Sequence, residues 1–214
     1  MSNILFNEQI DYLQSNLINN NPLLTEMEEF ANHNNIPILE QISANFLEQV
    51  VRIYKPKSFL EIGTAIGYST IRVSKISNNQ TIIDTIELSK DSIKLAKKFF
   101  DKSGEQNKIN LIEGNALNII PTLQNKYDFI FLDSDKKDYE ELLYISFEKL
   151  EKGGIILVDN LLWKGFVASK NVPENYKTST EIIRKFNKLF LNFPGLISSI
   201  LPIGDGLGLG IKNH

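Results

Sequence analysis

The sequence has no cysteine, and its 214 residues include only two histidines, His33 and His214. The lack of cysteine excludes a disulfide-stapled scaffold, a Cys-ligated zinc site, an iron–sulfur cluster and a thiol nucleophile. Because imidazole groups are also scarce, a protein-bound metal ion would have to rely mainly on oxygen ligands.

Long apolar runs and an excess of basic charge are missing as well. No run approaches the roughly 20 residues needed to cross a bilayer, and residues 1–20 lack a cationic start followed by an apolar stretch. We therefore expect a cytoplasmic protein with no membrane partner. The formal net charge of -3 lacks the basic footprint typical of nucleic-acid binders. The length and the 42% hydrophobic content predict one domain, residues 1–214, with a substantial core.

The N-terminal quarter, residues 1–55, has the patterns of helices. Asn21 and Pro22 fit a helix N-cap followed by proline at the first helical position, which predicts a helix over residues 23–32. Apolar residues at helical spacing predict another helix over residues 39–54, which Pro56 ends. Since no linker follows, we expect these helices to pack on the same domain as the rest.

Beyond residue 57, short apolar runs alternate with helical patterns. The runs predict buried parallel strands at residues 59–62, 81–86, 109–112, 127–132 and 155–158. The segments between them predict crossover helices at residues 68–76, 90–102, 116–123 and 138–150. A last helix over residues 182–193 precedes strands at 196–203 and 207–211, joined around Asp205-Gly206, a dipeptide typical of hairpins. The expected fold is α/β and Rossmann-like, with a mostly parallel sheet and a C-terminal antiparallel hairpin.

A glycine pair follows the first predicted strand, in the run Gly63-Thr64-Ala65-Ile66-Gly67. Ligands of open α/β sheets bind beyond the carboxyl ends of the strands, and glycine lets a ligand approach the backbone at a helix N-terminus. Alone, the pair indicates a ligand-binding turn and a plain tight turn about equally. Because Ala65 occupies the second glycine position of the dinucleotide fingerprint, a nicotinamide dinucleotide is disfavoured.

Glu87 ends the next predicted strand, about twenty residues after Gly67. That is the expected place for a carboxylate that accepts hydrogen bonds from both hydroxyls of a ribose. An exposed glutamate at a strand end is the plainer alternative. The spacing from the glycine turn favours a nucleoside site.

Acidic residues follow two further predicted strands, Asp133 after one and Asp159 with Asn160 after the other. Adjacent parallel strands bring their tips together, so these side chains would offer three oxygen ligands. Such a set leaves room for water and two substrate oxygens, as Mg²⁺ prefers, with Mn²⁺ as a related choice. Each cluster alone could be only a helix cap. Together they favour a metal site.

The motif around the glycine turn is Glu61-Ile62-Gly63-Thr64-Ala65-Ile66-Gly67-Tyr68-Ser69. It resembles the first motif of class I methyltransferases that use S-adenosylmethionine (SAM), in the branch of catechol and caffeoyl-CoA O-methyltransferases. The resemblance extends from Ile36 over nearly the whole chain, and it implies a Rossmann-like methyltransferase that transfers a methyl group to a hydroxyl.

The resemblance also implies the cofactor site. Gly63, Ala65 and Ser69 would surround the methionine part of SAM, and Glu87 would hold the ribose. Asn115 stands where many methyltransferases have aspartate, and its amide can still donate to and accept from an adenine edge. The full set of implied cofactor residues is Leu39, Glu61, Gly63, Ala65, Ser69, Glu87, Leu88, Asn115, Ala116 and Asp133.

The run Asp133-Ser134-Asp135-Lys136, followed later by Asp159-Asn160, is similar to the metal motif of the caffeoyl-CoA branch. This likeness implies that Asp133, Asp159 and Asn160 bind the ion. It also implies that Lys136, together with Asp133, acts in catalysis, the lysine as a base or an oxyanion partner. A solvated lysine before a helix is the plainer alternative for Lys136.

Residues 36–40, 159–165 and 201–207 are similar to bacterial tRNA 5-hydroxyuridine methyltransferases. This likeness implies methylation of 5-hydroxyuridine at the wobble position of a tRNA anticodon, giving 5-methoxyuridine, by a homodimer. A small catechol or phenolic acyl ester is the alternative acceptor, because it too presents adjacent ring oxygens to a metal.

Other residues near the predicted site leave alternatives open. Trp163 either stacks on an acceptor ring or belongs to the core. Four lysines either contact phosphates or are ordinary surface residues: Lys136, Lys137, Lys164 and Lys170. A nicotinamide-dependent oxidoreductase and a noncatalytic RNA-binding protein are the competing functions. The broken glycine fingerprint disfavours the first, and the acidic clusters disfavour both.

Overall fold

The computed structural model of the protein describes residues 6–17 and 21–213. Its N-terminal helices are α1 (Asn7–Ser15), α2 (Pro22–His33) and α3 (Gln41–Tyr54). The side chain of Asn21 accepts a hydrogen bond from Leu23 N at 3.1 Å, so the predicted cap and the helix after it are confirmed. The predicted helical region also included residues 1–5 and 18–20, which lie outside the described residues.

A seven-stranded sheet forms the centre of the molecule, in the order β3-β2-β1-β4-β5-β7-β6. The first five strands pair in parallel, whereas β7 is antiparallel to both β5 and β6. This is the predicted fold class. The strands are β1 (Ser58–Ile62), β2 (Ile82–Glu87), β3 (Ile109–Glu113), β4 (Tyr127–Leu132), β5 (Leu150–Val158), β6 (Leu196–Leu201) and β7 (Leu207–Lys212).

Helices connect the strands and cover both faces of the sheet. They are α4 (Tyr68–Ile76), α5 (Lys90–Ser103), α6 (Ala116–Ile119), α7 (Tyr139–Lys149) and α8 (Glu174–Leu191). One apolar cluster joins Met27 of α2 and Leu47 of α3 to Phe59 of β1, and a second lies under α7 and α8. The described N-terminal helices therefore pack on the sheet. None of the helices in the described ranges combines the length and apolar character that a bilayer crossing requires.

Three predicted boundaries are wrong. Strand β5 begins at Leu150 rather than at residue 155, so the Gly153-Gly154 pair lies within the strand. Helix α8 begins at Glu174 rather than at residue 182. The prediction missed its first two turns because they are too polar to show the apolar period of a helix. The hairpin connection spans residues 202–206 rather than 204–206, because Ile203 belongs to the turn and accepts a hydrogen bond from Gly206 N at 2.9 Å.

Candidate active site

A cavity of about 1040 Å³ opens at the carboxyl ends of β1 to β5. Residues that follow these strands form its floor, while α1 and the segment before α3 form part of its wall. The predicted site residues that line it are Leu39, Gly63, Ala65, Ser69, Glu87, Leu88, Asn115, Ala116, Asp133, Lys136, Asp159 and Asn160. The fold thus gathers residues that are more than a hundred positions apart in the sequence.

The glycine turn brings two strand ends into close contact. Gly63 has φ +101°, and a Cβ atom placed on it would lie 1.9 Å from the carbonyl oxygen of Asp133. Gly67 has φ +85°, and its missing Cβ leaves room for the Phe100 ring. Both glycines are therefore required, one by the neighbouring backbone and one by a core ring. The segment is a tight turn, one of the two alternatives, and it also lines the cavity.

Glu87 is fixed by backbone donors. Its Oε2 accepts a hydrogen bond from Ala65 N at 2.8 Å, and its Oε1 accepts from Leu88 N at 2.9 Å and Ser89 N at 2.8 Å. Hydrogen bonds to the charged form stabilise a carboxylate. The glycine turn and the end of β2 are thereby tied together around one oriented carboxylate.

Glu61 does not line the cavity, contrary to its inclusion among the cofactor residues. It is completely buried on β1. Its carboxylate accepts hydrogen bonds from Ser69 Oγ at 2.5 Å, from Thr85 Oγ1 at 2.6 Å and from Thr70. Burial is the largest influence and raises the pKa of Glu61 to about 7. Glu61 therefore fixes the first turn of α4 by hydrogen bonds on the side away from the cavity, because its position on β1 directs its side chain into the protein interior.

The residues on the adenine side occupy the ends of β2 and β3. Asn115 accepts a hydrogen bond from Leu117 N at 2.9 Å, which caps α6. Leu88 is exposed and Leu39 is buried, and both border the cavity together with Ala116. Asn115 therefore combines a capping role with a position at the cavity wall.

The acidic cluster forms because β4 and β5 are neighbours. Leu132 pairs with Val158, and Asp159 N donates to Leu132 O at 3.0 Å, so the two strand tips meet. Asp159 is 5% exposed, and its carboxylate accepts from Asn160 N at 2.7 Å. Burial, followed by repulsion from Asp133, raises the pKa of Asp159 well above its usual range.

Lys136 is not a solvated surface residue. Its side chain is 15% exposed, and its Nζ lies 3.4 Å from Asp133 Oδ1 and 3.0 Å from the carbonyl oxygen of Ser134. It also lies over the rings of Tyr139 and Trp163, at 5.1 and 5.9 Å from their centroids. The plainer alternative describes Lys137 instead, which is exposed and paired with Asp135.

The other lysines and Trp163 divide between the cavity and its surroundings. Lys164 lines the cavity, whereas Lys170 borders a second cavity of about 630 Å³ beside α8. Trp163 is half-buried and its indole N–H donates to Ser179 Oγ at 3.0 Å. Its ring therefore lines the cavity while its polar edge is anchored to α8.

Asp205 and Glu40 also line the cavity, and sequence reasoning did not select either. Asp205 lies in the hairpin connection and accepts from Asn160 Nδ2 at 3.4 Å. Burial raises the pKa of Asp205. The only sequence signal was the Gly204-Asp205-Gly206 run, which reads as a turn.

The donor chemistry of Asp133, Asp159 and Asn160 fits a hard divalent cation. All three side chains offer oxygen. Burial, followed by repulsion from Asp133, raises the pKa of Asp159. In residues 6–17 and 21–213, no group of three or more Asp, Glu, His or Cys side chains is placed to hold a metal. The candidate set contains two carboxylates and one amide, so water or acceptor oxygens would have to complete the shell.

The strand order, the glycine turn and the carboxylate at the end of β2 define a Rossmann-like methyltransferase fold. The methyltransferase of Podospora anserina in its SAH-bound structure superposes with a TM-score of 0.88 at 24% identity, covering 98% of this chain and 97% of that chain. At this identity the likeness shows the fold.

Sequence relatives show the family. Residues 14–213 match the O-methyltransferase family. Tapetum-specific methyltransferase 1 of Arabidopsis thaliana is 33% identical over 180 residues, covering 81% of this chain and 76% of that protein. The caffeoyl-CoA O-methyltransferase of Populus kitakamiensis is 30% identical over 172 residues, covering 77% of this chain and 73% of that protein. The chain belongs to the O-methyltransferase family. This membership rules out the oxidoreductase and the noncatalytic protein as alternatives.

Proposed function

We propose that methyl transfer by this enzyme depends on a divalent ion, Mg²⁺ or Mn²⁺, held by Asp133, Asp159 and Asn160. The observation that carries the proposal is the buried Asp159 carboxylate beside a second carboxylate. Buried like charges are costly unless a cation compensates them. Lys136 is a single positive charge beside these two carboxylates, with its Nζ 3.4 Å from Asp133 Oδ1, so it can offset only part of their charge.

The chain's own residues would position both reactants. Glu87, already oriented by three backbone donors, would accept hydrogen bonds from the ribose hydroxyls. The turn from Gly63 to Ser69 would surround the methionine part. A bound divalent ion would lower the pKa of the acceptor hydroxyl and orient it.

The chemical step is an in-line displacement. The acceptor oxygen attacks the methyl carbon of SAM, the carbon–sulfur bond breaks with its electron pair remaining on sulfur, and S-adenosylhomocysteine leaves. Lys136 lies beside Asp133 and would take the hydroxyl proton or stabilise the oxyanion.

For the acceptor we propose 5-hydroxyuridine at the wobble position of tRNA. Its 5-hydroxyl and 4-carbonyl oxygens are adjacent on one planar ring, so both can bind one ion. The support is the likeness of residues 159–165 and 201–207 to tRNA methyltransferases, together with the position of Trp163 at the cavity. An indole at that position can stack on a base.

A small catechol or phenolic ester is a second candidate, and the charge of the cavity favours it. The acidic residues of the lining outnumber Lys136 and Lys164, and a polyanion such as tRNA would be repelled by them. These acidic residues are Glu40, Glu87, Asp133, Asp135, Asp138, Asp159 and Asp205.

One experiment tests both the metal and the acceptor. Radiolabelled SAM is supplied with a tRNA that carries 5-hydroxyuridine, with the matched uridine tRNA, and with a catechol, each with Mg²⁺ or EDTA. We expect Mg²⁺-dependent product on the 5-hydroxyuridine tRNA, less on the catechol and none on the matched uridine tRNA. Two phosphate contacts would make activity fall about tenfold for a fourfold rise in salt. Turnover of catechol without tRNA product would favour the second candidate, and full activity in EDTA would contradict the metal.

A further inference from the structure

The hairpin connection, residues 202–206, is clamped against the loop that follows β5. Leu161 N donates to Gly206 O at 2.9 Å, and Leu162 N donates to Asp205 O at 2.9 Å. A Cβ atom on Gly206 would lie 2.6 Å from the Leu162 backbone nitrogen. The two segments therefore form one unit, and this unit carries Asn160 on one side and Asp205 on the other.

The Asp205 carboxylate contacts the side-chain amide of Asn160. Oδ2 of Asp205 lies 3.4 Å from Nδ2 of Asn160. A carboxylate only accepts hydrogen bonds, so the amide must turn its NH₂ group toward Asp205. The carbonyl oxygen, Oδ1 of Asn160, is then the atom left for a cation.

The same carboxylate also holds the backbone beside Trp163. Its Oδ1 accepts a hydrogen bond from Lys164 N. Trp163, Lys164 and Gly165 have φ values of +47°, +55° and +77°, and consecutive positive φ values are unfavourable for residues other than glycine. Asp205 thus stabilises the strained turn that places the indole at the cavity.

We infer that Asp205 is a positioning residue of this active site. It orients the Asn160 amide so that its oxygen is presented for the metal, and it fixes the turn that carries Trp163. The inference rests on the metal-dependent function proposed above.

The test measures Mn²⁺ binding by electron paramagnetic resonance, with SAM present. Asp205→Asn keeps an oxygen for Lys164 N but presents an NH₂ group to Asn160, which must turn its own amide around. We expect Mn²⁺ affinity to fall by about 10- to 100-fold, the usual cost of losing a residue that orients a metal ligand. Glu140→Gln, an exposed carboxylate outside the cavity lining, is the charge-matched control and should bind Mn²⁺ normally.

A second readout is the fluorescence of Trp163, the only tryptophan in the chain. Asp205→Ala removes both hydrogen bonds, so its emission should shift, whereas Asp205→Asn should retain the emission of the unaltered protein. Equal Mn²⁺ affinity in Asp205→Asn and the unaltered protein would overturn the inference and leave the metal proposal standing. Failure of the unaltered protein to bind Mn²⁺ would overturn both.

Discussion

The two halves of the cavity stabilise their carboxylates in opposite ways. On the β1–β2 side, Glu87 accepts hydrogen bonds from three backbone N–H groups, those of Ala65, Leu88 and Ser89. On the β4–β5 side, Asp159 accepts a hydrogen bond from one backbone N–H group, that of Asn160, and its carboxylate lies beside Asp133. The β1–β2 side, called the nucleoside half after the ligand proposed for it, is therefore stabilised by the chain itself. The β4–β5 side is called the acidic half. The acidic half has a surplus of negative charge that suits a cationic ligand.

Removing Asp159 should have the largest effect and should break only the acidic half. We expect Asp159→Ala to lower kcat/KM by about three orders of magnitude, because a catalytic metal contributes several kcal/mol and each 1.4 kcal/mol is about tenfold in rate. Affinity for S-adenosylhomocysteine, measured by calorimetry without a divalent ion, should change little. Asp91→Ala, an exposed acid in the first turn of α5, is the control. Near-normal activity of the Asp159 variant would contradict the assignment.

Substitution of Glu61 tests whether the buried carboxylate behind the nucleoside half is charged at neutral pH. Because burial raises its pKa from 4.5 to about 7, the folded protein binds the proton more tightly than the unfolded chain. Its stabilising effect is complete below about pH 4.5 and is lost as pH rises through about 7. The free energy of unfolding should therefore fall by about 3 kcal/mol relative to Glu61→Gln over that range. Urea denaturation at several pH values measures this, and parallel profiles for both proteins would refute it.

Glu87 should affect the nucleoside half alone. Glu87→Gln keeps the shape but loses the charge, so we expect SAM to bind about tenfold more weakly, in line with about 1.5 kcal/mol for a charge-assisted hydrogen bond. Mn²⁺ affinity, measured without SAM, should not change. Glu113→Gln is a matched control, since Glu113 ends β3 in register with Glu87 and lies outside the cavity lining. Equal SAM affinity in the Glu87 variant would remove Glu87 from the site.

Substitution of Lys164 should have the smallest effect on the rate of methylation, and only with a polyanionic acceptor. We expect Lys164→Glu to reduce methylation of 5-hydroxyuridine tRNA severalfold, because one phosphate contact is lost. Methylation of a catechol should be unaffected. Lys185→Glu changes an exposed lysine of α8 that does not line the cavity and should leave both rates alone. An equal loss with both acceptors would indicate a structural effect instead.

The nucleoside half could be predicted from the sequence because its signals are local. The turn from Gly63 to Gly67 and the carboxylate of Glu87 follow strands whose apolar runs are short and continuous. Glu61 was misplaced because a motif gives the order of residues but not the face of the strand. Its neighbours across the sheet are Thr85 and Phe131, and that pairing, not the motif, buries it.

The acidic half could be predicted only in part. Asp133, Asp159 and Asn160 follow neighbouring strands, so their grouping follows from the parallel sheet. Asp205 depends instead on the packing of a late turn against a loop more than forty residues earlier. Its contact requires Gly206 to lie against Leu162, and no local pattern in the sequence encodes such an approach.

The contact between Gly63 and the backbone of Asp133 has a thermodynamic consequence. Because these two strand ends touch without room for even a methyl group, the glycine turn and the first acidic residue cannot shift independently. We expect occupancy of one half to change the free energy of filling the other. Such coupling is reciprocal: whatever factor SAM adds to the affinity for the ion, the ion adds to the affinity for SAM. Binding of the two proposed ligands is therefore expected to be cooperative.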